Sequence, residues 1–195
     1  MIIKKIHGIF IGIDKYQSPE ITELNCCAKD AEVLWALSKD TCPQGELKKL
    51  INCEATFSNI NKVFDDIIEK VSDEDLVIFH FSGHGSTNFH LVTHDTDEND
   101  FNTTSISADQ VADWIKRFKN KRLLVVLDCC FSGGTGAKVV ELGVLKRDIS
   151  DEENDLLELI KGEGALLIAA ASSKQSAWEN NRVGHGLLTA SLISA

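Results

Sequence analysis

Leu76-Val77-Ile78-Phe79-His80-Phe81 runs without a break into Ser82-Gly83-His84-Gly85, and Leu123-Leu124-Val125-Val126-Leu127 runs likewise into Asp128-Cys129-Cys130-Phe131-Ser132-Gly133-Gly134. Each is a short apolar run followed by glycine. Such runs are the pattern of strands covered on both faces, and burial on both faces belongs to parallel sheets. Ile6 to Ile13 and Leu166 to Ala171 have the same character, and Leu47 to Ile51 reads as a weaker strand. Helical periodicity fills the intervals. One helix covers Ala28 to Leu37. A second carries Ile60, Val63, Phe64, Ile67, Ile68 and Val71, with Ser58 placed to cap its start. A third carries Val111, Trp114, Ile115 and Phe118 behind a Ser107/Gln110 capping box, and a final helix starts near Gly186. Strands alternating with helices predict an α/β fold of three layers, a mostly parallel β-sheet flanked by helices on both faces.

The chain of 195 residues fits one domain spanning 1–195, and it is long enough to bury a sizeable core. Residues 133–164 break the rhythm, with Gly133-Gly134-Thr135-Gly136 followed by the charged run Lys146 to Asp155. They are expected to form a flexible, mostly exposed connection, with a short helix at Leu156, Leu157 and Ile160 capped by Ser150 and Glu153. A composition of 43% hydrophobic and 26% charged residues excludes disorder. Thirty acidic against twenty basic side chains give a net charge of −10, which excludes nucleic acid as a nonspecific partner and favours cationic ones. No apolar run reaches the roughly 20 residues of a membrane helix, and Ile6 to Ile13 lacks a cleavage site, so no membrane partner is expected. Six cysteines include the adjacent pairs Cys26-Cys27 and Cys129-Cys130 but no CxxC. Reduced thiols in an intracellular, cytoplasmic protein are the expectation.

Reactive groups in an open parallel sheet gather beyond the carboxyl ends of the strands. Two runs end there with a histidine between glycines, His84, and with a cysteine pair, Cys129-Cys130. A cysteine nucleophile needs a base within hydrogen-bond reach. Glycines beside the base let backbone approach a substrate and turn an N–H toward a developing oxyanion. Singly, a strand-end cysteine is more often a small buried hydrophobe and a histidine between glycines a turn residue. Together, at two strand ends, they point to thiol hydrolase chemistry.

The segments His80 to Gly85 and Leu127 to Gly133 resemble the caspase-like cysteine peptidases, specifically the metacaspase and bacterial orthocaspase branch. Leu24-Asn25-Cys26-Cys27-Ala28-Lys29-Asp30-Ala31 and His185-Gly186-Leu187-Leu188-Thr189 support the resemblance in the same order along the chain. It implies a caspase-like fold and a cysteine endopeptidase in which Cys130 is the nucleophile, with its neighbour Cys129 the alternative, and His84 is general base and acid. It further implies an oxyanion hole made by the backbone N–H groups of Gly85 and Cys130. His84 precedes Cys130 by 46 residues, near the figure of about 50 for caspases. Asp128 stands where the caspase signature has glutamine, and a carboxylate so near the nucleophile selects a cationic side chain. The resemblance agrees: Cys27, Asp30, Ser82 and Asp128 would surround a pocket for the Arg or Lys before the scissile bond of a protein substrate. The plainer reading is that Asp30 and Asp128 satisfy backbone N–H groups.

Three features depart from the family pattern. Phe131 replaces a histidine found in many metacaspases. The acidic stretch after His84 is reduced to Asp95, Asp97, Glu98 and Asp100, read as a solvated loop. No cofactor is required on this reading, and calcium is doubtful because hard cations want several convergent oxygens. The helical run Leu188 to Ala195 has no stop signal, as expected of a catalytic domain from a larger protein whose other domains, or a regulatory protein, control it. Lys138, Lys146, Arg147 and Lys161 in the 133–164 connection are either autocleavage positions or solvated lysines and arginine. His185 is read as local structure. Two competing functions are a catalytically silent scaffold of the same fold and a zinc hydrolase using His80, His84, His90 and His94, whose first pair spans a strand and a turn rather than one helical face.

Overall fold

The computed structural model describes residues 3–41, 44–86, 89–118, 122–129, 165–169, 179–180 and 184–194. Strands β1 (Ile6–Gly12), β2 (Glu46–Ile51), β3 (Leu76–Ser82), β4 (Leu123–Asp128) and β5 (Ala165–Ala169) form one sheet in the order β2-β1-β3-β4-β5. Every neighbouring pair is parallel. Among the described residues the helices are α1 (Cys27–Thr41), α2 (Phe57–Lys70), the single turn α3 (Phe101–Thr104), α4 (Ala108–Arg117) and α5 (Leu187–Ile193). A short antiparallel pair, β6 (Glu179–Asn180) with β7 (His185–Gly186), leads into α5. The predicted three-layer α/β architecture is therefore the observed one.

One parity rule organises the core. The strands are in register, so side chains two residues apart share a face across the whole sheet. Ile9, Ile11, Val77, Phe79, Phe81, Leu123, Val125 and Leu127 form one buried cluster with Ile60, Phe64 and Ile67 of α2 and Val111, Trp114 and Ile115 of α4. Phe64 stacks on Trp114 at 3.7 Å between centroids and meets Phe79 edge-on at 5.0 Å. Each such buried side chain contributes about 1.5–3 kcal/mol. The opposite face, bearing Gly8, Phe10, Gly12, His80, Ser82 and Asp128, lies under α1. Gly12 has to be glycine, because a Cβ there would lie 2.8 Å from the Ala28 Cα at the start of that helix.

Capping differs in detail from the sequence reading. Thr56, not Ser58, caps α2: its extended backbone lets the hydroxyl accept from the Asn59 N–H, whereas Ser58 is already inside the first turn. Ser107 caps α4 by accepting from the Gln110 N–H, but the Gln110 amide turns away to donate to Asn61 of α2 at 2.6 Å. Of the acids read as a solvated loop, Asp97 and Asp100 are exposed, and Asp95 and Glu98 are half-buried. Asp95 accepts from the Phe57 N–H and the Thr93 hydroxyl, Asp97 from the Asn99 N–H, and Glu98 from the Ser18 hydroxyl. The 133–164 connection with its predicted short helix, and the last two residues of the Leu166 to Ala171 run, lie outside the described residues. Among the described residues no helix is long and apolar enough to cross a membrane.

Candidate active site

The strand order reverses between β1 and β3: β2 is added on one side of β1, whereas β4 and β5 follow β3 on the other. Open α/β sheets bind ligands at the carboxyl ends of strands flanking such a reversal, and here the chains leaving β1 and β3 meet there, with the Ile13 N–H on the Ser82 carbonyl at 3.0 Å. His84 lies there, two residues beyond β3, and is buried. Its Nε2 is 2.7 Å from the Thr22 carbonyl oxygen. A carbonyl only accepts, so Nε2 carries a proton, and in the neutral ring the lone pair is then on Nδ1.

The backbone of His84 is held as well. Its N–H donates to the Tyr16 hydroxyl at 2.9 Å, and its carbonyl accepts from Val92 N–H at 3.0 Å. Gly85 pairs with Leu91 in an isolated antiparallel bridge whose hydrogen bonds flank it, from Ser86 N–H to His90 O and from Val92 N–H to His84 O. The N–H of Gly85 thus stays out of the ladder.

Ser82 and Asp128 are Cα partners on β3 and β4, and both face α1. Asp30, in the first turn of α1, comes down onto them fully buried and accepts from the Ser82 hydroxyl at 3.2 Å. It also accepts from His185 Nδ1 at 2.8 Å and from the Gly186 N–H at 3.2 Å. Asp128 Oδ2 accepts from the Thr189 hydroxyl at 3.0 Å and its N–H at 3.3 Å. Asp128 Oδ1 is buried without a hydrogen-bond partner among the described residues. A Cβ on Gly186 would fall within 3.0 Å of both carboxyl groups, so the two acids converge on the start of α5. Burying two carboxylates together is costly unless donors or a cation compensate them.

Cys27 opens α1 and is buried; its N–H donates to Asp14 Oδ1 at 2.7 Å, and the Ala28 N–H donates to Asp14 Oδ2 at 3.1 Å. Asp14 therefore caps the helix that delivers Asp30. Cys129 is buried within the α2/α4 hydrophobic cluster with Leu127, as a small apolar side chain. Cys130, assigned above as the nucleophile and as the second oxyanion donor, lies outside the described residues.

The sequence reading missed Asp14, Tyr16, Thr22 and Thr189, which act through a capping carboxylate, a hydroxyl, a backbone carbonyl and a second hydroxyl. Asp14 and Tyr16 carried one signal, standing just past a buried strand. His185 does more than shape its local turn, since it pairs with Asp30. The histidines of the zinc reading do not converge: His84 binds the Thr22 carbonyl, His90 the Ser105 hydroxyl and His94 the Lys15 carbonyl. Among the described residues no group of three or more His, Cys, Asp or Glu side chains is arranged to hold a metal, and Cys26, Cys27, Cys53 and Cys129 are not joined in disulfides.

The chain matches the caspase domain family over residues 7–195 and belongs to that family. No curated protein matches the chain. Its fold is similar to that of the crystal structure of protein GSU0716 from Geobacter sulfurreducens, with a TM-score of 0.73 and 18% identity, covering 97% of this chain and 81% of that one.

Proposed function

We propose that the protein is a cysteine endopeptidase of the metacaspase/orthocaspase type that cleaves protein substrates after Arg or Lys. Cys130 Sγ attacks the scissile carbonyl carbon while its proton passes to His84 Nδ1, and the peptide N–H groups of Gly85 and Cys130 receive the oxyanion. Collapse of the tetrahedral intermediate breaks the C–N bond, His84 returns the proton to the leaving amine, and a thioester remains. Water, deprotonated by His84, then hydrolyses the thioester and regenerates the thiol. This reaction requires no cofactor.

The observation that carries the reading is the Nε2–H bond of His84 to the Thr22 carbonyl, because it leaves a lone pair on Nδ1 at the strand end next to the one that leads into Cys129-Cys130. The preference for a basic side chain is supported by the two converging carboxylates and the unfilled Oδ1 of Asp128. A guanidinium or ammonium group supplies the compensation that oxygen lacks. The burial of Cys129 in the apolar cluster favours Cys130 as nucleophile.

One observation favours a catalytically silent module: Asp30 and Asp128 already bind groups of this chain. Fluorogenic peptides ending in Arg, Lys or Asp, tested with wild type, Cys130→Ala, Cys129→Ala and His84→Ala, separate the readings. Hydrolysis after Arg or Lys that is lost in Cys130→Ala and His84→Ala but kept in Cys129→Ala supports the peptidase. Preference for Asp overturns the pocket, and hydrolysis surviving Cys130→Ala overturns the nucleophile. Absence of any thiol selectively reactive with iodoacetamide at neutral pH supports the silent module.

A further inference from the structure

Tyr16 is the single tyrosine of the chain and stands four residues past the end of β1. Its hydroxyl lies between the sheet and the base, donating to the Ile13 carbonyl at 3.2 Å and accepting from the His84 N–H at 2.9 Å. Its ring lies against the imidazole, with centroids 5.1 Å apart and planes tilted by 40°. Gly83 makes room for it, since a Cβ there would sit 3.3 Å from the Tyr16 oxygen and 3.0 Å from the Phe81 ring. One side chain thus grips the peptide of His84 and braces its ring.

Resting on the peptidase reading, we propose that Tyr16 is a positioning residue for His84, tying it to the carboxyl end of β1 so that Nε2–H stays on the Thr22 carbonyl and Nδ1 stays the proton acceptor. The sheet provides the rigid reference. Ile13 follows β1 directly and its N–H donates to the Ser82 carbonyl at 3.0 Å, so strand and base loop are joined on both sides of the tyrosine. Burial, and then the neighbouring Cys27 thiol, push the phenol well above its ordinary value of 10.0. It therefore remains an O–H able to donate and accept at once. Small displacements of a base cost large factors in rate, since proton transfer requires hydrogen-bond geometry.

Tyr16→Phe keeps the ring packed against the core and removes only the hydroxyl. With a peptide ending in Arg or Lys, kcat is expected to fall about tenfold while KM changes less than about twofold, because the basic pocket is untouched. An unchanged kcat overturns the proposal, and so does a KM rise with kcat retained. If wild type cleaves no such peptide, the peptidase reading fails and the positioning role is judged on the imidazole itself. The ring 15N signals of His84, assigned through their loss in His84→Asn, should report the Nε2–H tautomer in wild type and a mixture in Tyr16→Phe. Identical signals in both proteins overturn it.

Discussion

His185 and Asp30 lie 155 residues apart in the chain and 2.8 Å apart in the fold. One belongs to β7, ahead of the last helix, and the other to the first turn of α1, so this contact ties both ends of the polypeptide over the face of β3 and β4. Asp30 is fully buried, whereas His185 remains one-fifth exposed. The burden of the contact therefore falls on the carboxylate.

Asp30→Ala removes the acceptor for Ser82, His185 and Gly186 at once. Unfolding in urea at neutral pH is expected to show a loss of about 3 kcal/mol or more, the cost of breaking a buried pair and leaving donors unmatched. His185→Ala should cost less, because water can reach that side. The double variant should be more stable than the two single losses predict, by about 1 kcal/mol. Strict additivity would mean that the contact carries no energy.

Gly186→Ala tests the convergence of the two acids. Its Cβ would overlap Asp128 and come within 3.0 Å of Asp30, and moving either buried carboxylate would break its hydrogen bonds to Ser82, His185 or Thr189. Thermal unfolding is expected about 5 °C or more below wild type, equivalent to at least about 2 kcal/mol in a domain of this size. A wild-type melting temperature would show that the start of α5 is not packed on the acids.

The sheet was legible because its strands are uninterrupted apolar runs, from Ile6, Leu76 and Leu123, and the parity of Ser82 and Asp128 follows from where those runs end. His84, Asp30 and Asp128 could be named from residue type and position. Tyr16 and Thr22 could not, because a hydroxyl and a backbone carbonyl become site groups only when the loop after β1 folds back against β3. The same limit explains the caps. Ser58 and Thr56 are chemically equivalent hydroxyls, and only the extended backbone of Thr56 decides between them. The acids after His84 read as solvated because charge normally means exposure; Asp97 and Asp100 follow that rule, whereas Asp95 is half-buried on the Phe57 N–H and the Thr93 hydroxyl.

Asp75 makes stability depend on acid. Burial raises its carboxyl, but the Ser72 N–H and hydroxyl and the nearby His7 outweigh that and leave it below the ordinary 3.8. A carboxyl depressed in the folded state contributes stability above its unfolded value. That contribution is lost as pH falls through the folded one. Asp75→Asn should therefore be less stable than wild type at pH 6, and the gap should close as the pH falls below about 3.8. Urea midpoints across pH 6 to 2.5 measure it; a gap independent of pH would assign the loss to packing alone.

The stacked pair Phe64 and Trp114 should dominate the stability of the α2/α4 face. Trp114→Ala removes a buried indole from between two helices and the sheet, and guanidinium unfolding is expected to show a loss of about 3–5 kcal/mol. Trp35 is the internal comparison. It lies on the partly exposed side of α1 beneath Lys39 and Lys49, at 4.8 and 5.1 Å from its ring. Its indole N–H makes only a long bond of 3.4 Å to the Leu47 carbonyl. Trp35→Ala forfeits surface cation–π contacts worth about 0.5–1 kcal/mol each, so the total loss should stay below about 2 kcal/mol. Equal losses at the two positions would contradict the assignment of the core to the α2/α4 face, because burial, not aromatic identity, is what separates them.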